Sequence, residues 1–205
     1  MSTSIFSQEK LLKKSQVFAK EITIIADELD DIVIENIEGN KIEVILLDEN
    51  PNTHHVFIEE ENNTLKVGFK LEFDVYEEPV FRKYITKRLQ RATAIVKIPK
   101  NKEVTVYGKT IGVVSKNYDG DIKVFIDKGN VKLHEVQRSA TVALFLGNVS
   151  AKLKNKCAIN IKTNKGEIVV NDTIFKEKSS INTAKKTSCN FTVKSMNANV
   201  NLITK

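Results

Sequence analysis

Short runs of alternating apolar and polar residues fill the chain from Glu21 onward. Ile22-Thr23-Ile24, Ile32-Val33-Ile34 and Ile42-Glu43-Val44-Ile45-Leu46 open the series. Leu65, Val67, Phe69, Leu71 and Phe73 then fall on one side of a two-residue period, the spacing of a half-buried strand. In the second half the alternation follows a glycine four times. The units are Gly120-Asp121-Ile122-Lys123-Val124, Gly129-Asn130-Val131-Lys132-Leu133, Gly147-Asn148-Val149-Ser150-Ala151 and Gly166-Glu167-Ile168-Val169-Val170, with glycines 9, 18 and 19 residues apart. Asp31–Val44, built around Gly39, reads as a fifth copy. A turn plus a short strand at a near-regular interval predicts an all-β solenoid. Apolar runs of three to five residues bury little by pairing alone, whereas stacked turns supply one another with backbone partners. A β-sandwich is the alternative. It calls for longer strands and primed two-residue turns, and Asp119-Gly120 is the one good hairpin signal.

Three stretches depart from the rhythm. Residues 9–20 are charged and weakly periodic, a lead-in or a short helix. Residues 76–91 form an excursion in which Phe81, Ile85 and Leu89 share one helical face and acid precedes base, as the helix dipole favours. After Val170 the apolar groups Ile181, Phe191-Thr192-Val193 and Val200-Asn201-Leu202-Ile203 are more polar in context and read as a terminal cap or fraying last rung. The organisation expected is a lead-in over residues 1–20 and one continuous domain over 21–205. Within the lead-in, the opening Met1-Ser2-Thr3-Ser4-Ile5-Phe6-Ser7 reads as the tail of a truncated secretory signal peptide cleaved after Ser7.

Charge is uneven. Residues 1–100 carry 14 basic and 18 acidic groups (net −4), and residues 101–205 carry 18 and 8 (net +10), which sum to the overall +6. The lysines of the second half sit mostly at alternate strand positions, where they solvate the outer face and discourage edge pairing. The aromatics are not interleaved with them as a nucleic-acid stacking platform requires, so specific nucleic-acid binding is not expected. No stretch approaches the roughly 20 apolar residues of a membrane span. Cys157 and Cys189 are 32 residues apart, which is not a whole number of solenoid turns, so two buried free thiols are favoured over a disulfide.

Candidate chemistry is sparse. His54-His55 and His134 lack a third ligand, and no metal or cofactor is expected. Glu59-Glu60-Glu61, in a polar turn with Asn62-Asn63, and Glu77-Glu78 read as loop charges. The regular rungs hold few acids, among them Asp119, Asp121, Asp127, Glu135 and Glu167, and Asp119-Gly120-Asp121 lacks the remaining positions of a calcium loop. No nucleophile elbow, phosphate loop or dinucleotide fingerprint occurs. No catalytic residue is therefore nominated. The candidate interaction surface is the basic excursion, Arg82, Lys83, Lys87, Arg88 and Arg91.

The run Ile95-Val96-Lys97-Ile98-Pro99-Lys100, followed by Val104-Thr105-Val106, Gly112-Val113-Val114 and the glycine units from Gly120 to Val149, resembles a bacterial envelope family known as putative adhesins of unknown function. The likeness covers roughly residues 20–170 and rests on pattern. It implies a right-handed β-helix-like solenoid, export to the periplasm or cell surface, and no catalytic residues. The function expected is therefore a non-enzymatic adhesin or surface scaffold, its partner a cell-surface glycan or an envelope protein. Two other classes are weighed against it: a polysaccharide- or polyanion-binding module that uses a basic face, and a glycan-cleaving solenoid enzyme.

Overall fold

A computed structural model describes residues 9–48, 54–71, 92–154, 156–175, 180–183, 187 and 189–204. Among these residues the structure is all β, with no helix, and its strands join into one large mixed sheet. The expectation of an all-β chain holds. Valine, isoleucine and threonine at alternating positions favour the pleated backbone and bury one side of it.

The sheet comprises two ladders. The first runs from β5 (His54–Glu61) through β6 (Thr64–Leu71), β2 (Glu21–Ile25) and β8 (Glu103–Thr110). It continues into the first halves of β10 (Asp121–Val136), β11 (Ala140–Leu153) and β16 (Asn190–Ile203), then β12 (Ala158–Lys165) and β15 (Ser180–Asn182). The second begins with β1 (Glu9–Gln16), β4 (Lys41–Asp48), β7 (Ala92–Pro99), β3 (Asp31–Ile37) and β9 (Gly112–Lys116). It proceeds through the second halves of β10, β11 and β16 to β13 (Ile168–Val170) and β14 (Thr173–Ile174). Interior pairings are parallel. The outer pairings, β1 with β4, β4 with β7, β5 with β6, β12 with β15 and β13 with β14, are antiparallel.

Strands β10, β11 and β16 belong to both ladders because each bends midway. In β10, Ile122, Val124 and Ile126 are buried before the bend and Val131, Leu133 and Val136 after it, and all six join one core cluster with Ile24, Ile34 and Val106. The bends stack in register: Gly129 pairs with Gly147 and Gly147 with Ala198. Gly129 and Gly147 have φ of 152° and 149°, and a Cβ on Gly147 would overlap the Gly129 carbonyl oxygen. Gly129 and Gly147 thus turn β10 and β11 from one ladder to the other inside a strand, and β16 follows their bend with Ala198, so these strands reach 14 to 16 residues and not the three to five of their apolar runs.

Rung order differs from sequence order. Val124 pairs with Val142, an offset of 18, as the glycine spacing implied. The 19-residue step from Gly147 to Gly166 implied that β12 stacks on β11. Instead β16 lies between them, pairing Val142 with Val193 and Val193 with Ile161. The expected fraying cap is therefore interior: Phe191, Val193 and Leu202 are fully buried. At the other end β2 lies between β6 and β8 in the same manner.

Five further expectations change. Residues 9–16 form β1, antiparallel to β4, in place of a lead-in or helix. Asp119-Gly120 closes no hairpin. The two-residue hairpin turns are Asn62-Asn63 and Asn171-Asp172, all four with φ between 47° and 63°, and Glu59–Glu61 lie on β5 itself. Gly39 lies outside the bend column, between β3 and β4, which flank β7. Finally, Cys157 and Cys189 form a disulfide with Cα atoms 4.6 Å apart. The 32-residue spacing is the register offset of β12 and β16, where Ala158 pairs with Asn190. The polypeptide that supplies β13, β14 and β15 lengthens this step beyond 18, so whole-turn arithmetic failed.

Candidate functional site

Arg82, Lys83, Lys87, Arg88 and Arg91, with the whole 76–91 excursion, lie outside the described residues. The functional surface that the structure defines is elsewhere, on the outer face of the first ladder. There, side chains at alternate positions align in columns across successive rungs. One column reads Ile25, Tyr107, Phe125, Ala143, Lys194, Lys162, each in register with the next. Beside it run Lys109, Asp127, Phe145, Met196 and Asn164, two positions further along their strands.

This face carries apolar groups where a solvated wall would carry lysine or threonine. Phe145 is 62% exposed, Met196 48% and Tyr107 43%. The Tyr107 and Phe125 rings stack with centroids 5.4 Å apart and planes 17° from parallel. Asn164 Nδ2 donates to Met196 Sδ at 3.0 Å, which holds the thioether against its neighbour. Together these side chains line a shallow groove of about 660 Å³ whose floor includes Ala143 and whose rim includes Asp27, Lys109, Asp127 and Lys194. Contiguous exposed apolar surface with a polar rim is what marks interaction sites on soluble proteins. Tyr107 and Phe125 are 18 residues apart, the same interval as Gly129 and Gly147. That shared interval was the available signal, masked because the aromatics and glycines occupy different parts of the rung.

Several basic groups on the rungs are engaged. Lys116 Nζ lies 2.9 Å from Glu35 Oε1, Lys100 Nζ 2.6 Å from Glu38 Oε1, and Lys152 Nζ 3.8 Å from Glu135 Oε1. Lys123 bonds Glu103, and that bond raises the lysine above its ordinary value. Of these pairs Glu35–Lys116 joins the negative first half to the positive second, across the β3–β9 register. Lys162 and Lys194 make no ion pair among the described residues.

The remaining candidate groups are structural. His54 and His55 lie on β5 and His134 on β10. Among the described residues no group of three or more His, Cys, Asp or Glu converges as a metal site. Asp119 accepts from Arg138 Nε at 3.1 Å, and Asp121 from the Ser139 amide at 3.1 Å, so both tie adjacent rungs together. A second cavity of about 410 Å³ adjoins Asp31, Gly129, Asn130 and Lys132. Desolvation there raises the Asp31 carboxyl, the Asp30 charge adds to the rise, and Lys132 opposes it. Asp27 and Asp127 both line the first groove, but both are exposed and Lys109 occupies the rung between them.

Fold and site together define an all-β protein with one large mixed sheet and an outward apolar groove. No family model matches the chain, and no curated protein matches it. Among solved structures it is similar to a putative cell adhesion protein from Clostridium sporogenes ATCC 15579, at 11% identity over 96% of this chain and 100% of that one, with a TM-score of 0.61. It also aligns with a putative adhesin from Bacteroides fragilis NCTC 9343, at 10% identity over 98% and 99% of the two chains, but with a TM-score of 0.33. The first likeness is one of fold, and the second carries no argument. The fold likeness falls on a bacterial protein described as a putative cell adhesion protein, the kind of protein the sequence resemblance implied. Among the described residues no helix is long and apolar enough to cross a membrane.

Proposed function

We propose that this chain is a non-enzymatic, exported surface-binding protein of the adhesin type, acting in the periplasm or at the cell surface. Its rungs coil as a right-handed β-helix-like solenoid with two rungs out of sequence order, and its binding face is the outer groove of the first ladder. The observation that carries the reading is the exposed Tyr107–Phe125–Phe145–Met196 surface on a wall that is otherwise polar. The Cys157–Cys189 bridge supports export, since disulfides persist in oxidising compartments. The parallel stack with 18-residue offsets supports the coil. A broad basic face that reads polyanions has less support, because Lys100, Lys116, Lys123 and Lys152 each meet a carboxylate.

The test is attachment of the purified full chain to arrayed glycans and matrix proteins, compared with a Tyr107→Ser/Phe145→Ser variant of equal thermal stability. Loss of attachment in the variant supports the reading. Attachment that survives both substitutions, or turnover of the bound glycan, overturns it. Fractionation of the native cells with an antibody to the chain tests export, and recovery in the cytosol would refute it.

A further inference from the structure

We infer that the gap above Ala143 is a subsite for the ring of an acidic sugar, with its apolar C–H face on Phe125 and its carboxylate at Lys194. The inference rests on the adhesin-type reading and specifies the ligand class.

The column Tyr107, Phe125, Ala143, Lys194 sets the geometry. Neighbouring rungs of a sheet lie about 4.8 Å apart. Tyr107 and Phe125 are register partners whose rings stack nearly parallel, so the stacking direction runs along the column. The free face of Phe125 is therefore turned toward the next rung. That rung presents Ala143, a single methyl, and Lys194 stands on the rung beyond. Phe125 and Lys194 are thus two rungs apart, roughly 9–10 Å between backbones, with no long side chain between. A ring inserted there makes carbon contacts of about 3.5–4 Å with the aromatic face, at the place where the stack of aromatics is interrupted. Phe145 and Met196 wall one side of the gap, and the groove of about 660 Å³ has room for more than one sugar unit.

Charge selects the class. Lys194 and Lys162 are register partners, next to each other in the same column. Neither has a carboxylate partner among the described residues, and Lys194 lines the groove. An ammonium at one end of an apolar slot and an aromatic face at the other match a pyranose that bears a carboxylate. A bilayer would cover the whole rim and set anionic headgroups against Asp27 and Asp127, whereas the sugar carboxylate is placed at Lys194, two strands beyond Asp127.

The test uses the full chain in calorimetric titration with a trimeric uronic-acid oligosaccharide, its methyl ester and the neutral trimer. Wild type should bind the free acid at least roughly tenfold more tightly than the ester, with an affinity that falls as salt rises. Ala143→Phe fills the gap with an outward ring, so it should retain its melting temperature and lose the acid by roughly tenfold or more. Lys194→Gln should bring acid and ester to near-equal affinity. Equal wild-type binding of acid and ester, wild-type affinity in Ala143→Phe, or no binding of the acid at all would overturn the subsite. Aromatic peptides or anionic vesicles bound in place of the acid would overturn it too. Attachment that is lost in Tyr107→Ser/Phe145→Ser but unchanged in Ala143→Phe would leave the adhesin reading standing and remove this inference alone.

Discussion

Asn148 donates its side-chain Nδ2 to Oδ1 of Asn130 at 2.8 Å, across a register pair 18 residues apart. The ladder continues: Asn199 Nδ2 donates to Asn148 Oδ1 at 3.2 Å, and the Glu167 amide donates to Asn199 Oδ1 at 3.0 Å. Asn148→Ala removes two solvent-exposed bonds and should cost about 1 kcal/mol in urea unfolding. The Asn130→Ala/Asn148→Ala cycle should be non-additive, and strict additivity would show that the ladder bond contributes nothing.

Gly147→Ala should be far more costly than its size suggests, about 2–4 kcal/mol, because the added Cβ meets the Gly129 carbonyl and the residue must keep a positive φ. Ala198 occupies the same column without a positive φ, so its Cβ is accommodated. Thermal unfolding decides it, and a melting temperature within a degree of wild type would refute the bend argument.

The Cys157–Cys189 bridge closes a 32-residue step across β12 and β16. Replacement of both cysteines by alanine should cost about 3–4 kcal/mol on the chain-entropy account. Thiol titration of the denatured, unreduced chain should find no free thiol. Two free thiols would return the sequence-based expectation.

Ser195 Oγ is buried without a hydrogen-bond partner among the described residues. Ser195→Ala therefore deletes a desolvated hydroxyl and should leave stability unchanged or raise it by up to about 1 kcal/mol. A clear loss in chemical denaturation would reveal a partner for that hydroxyl.

Glu43 joins β1 and β7 to β4, with Lys14 Nζ at 2.5 Å and Lys97 Nζ at 3.7 Å. The hydrogen bond from Lys14 lowers the carboxyl below its ordinary 4.5. Because the folded value is the lower one, this contribution to stability is fully present above pH 4.5. It is lost as the pH falls through the folded value. Glu43→Gln should flatten that acid limb in unfolding curves collected from pH 3 to 7, and an unchanged limb would count against the clamp.

Much of the first ladder was legible because outward and inward residues alternate with period two, and the parallel offset of 18 was visible as a glycine interval. The groove was not, since Tyr107, Phe125, Phe145 and Met196 look like scattered apolar residues until register brings them together. The turn at Asn62-Asn63 was read too long and the one at Asn171-Asp172 escaped notice, because both reach the left-handed region without the glycine that usually signals it.

The amino-acid order alone determined that this chain is β throughout its described residues, which side of each strand is buried, and that the backbone turns at Gly129 and Gly147. These are local consequences of side-chain period and of the steric freedom of glycine. Tertiary structure alone decided which rung lies beside which. Insertion of β16 between β11 and β12 aligns Ala143 with Lys194, 51 residues away, and brings Cys189 opposite Cys157. The reason is that parallel pairing is specified by burial and register and not by sequence proximity, so any rung with the matching alternation can occupy the place.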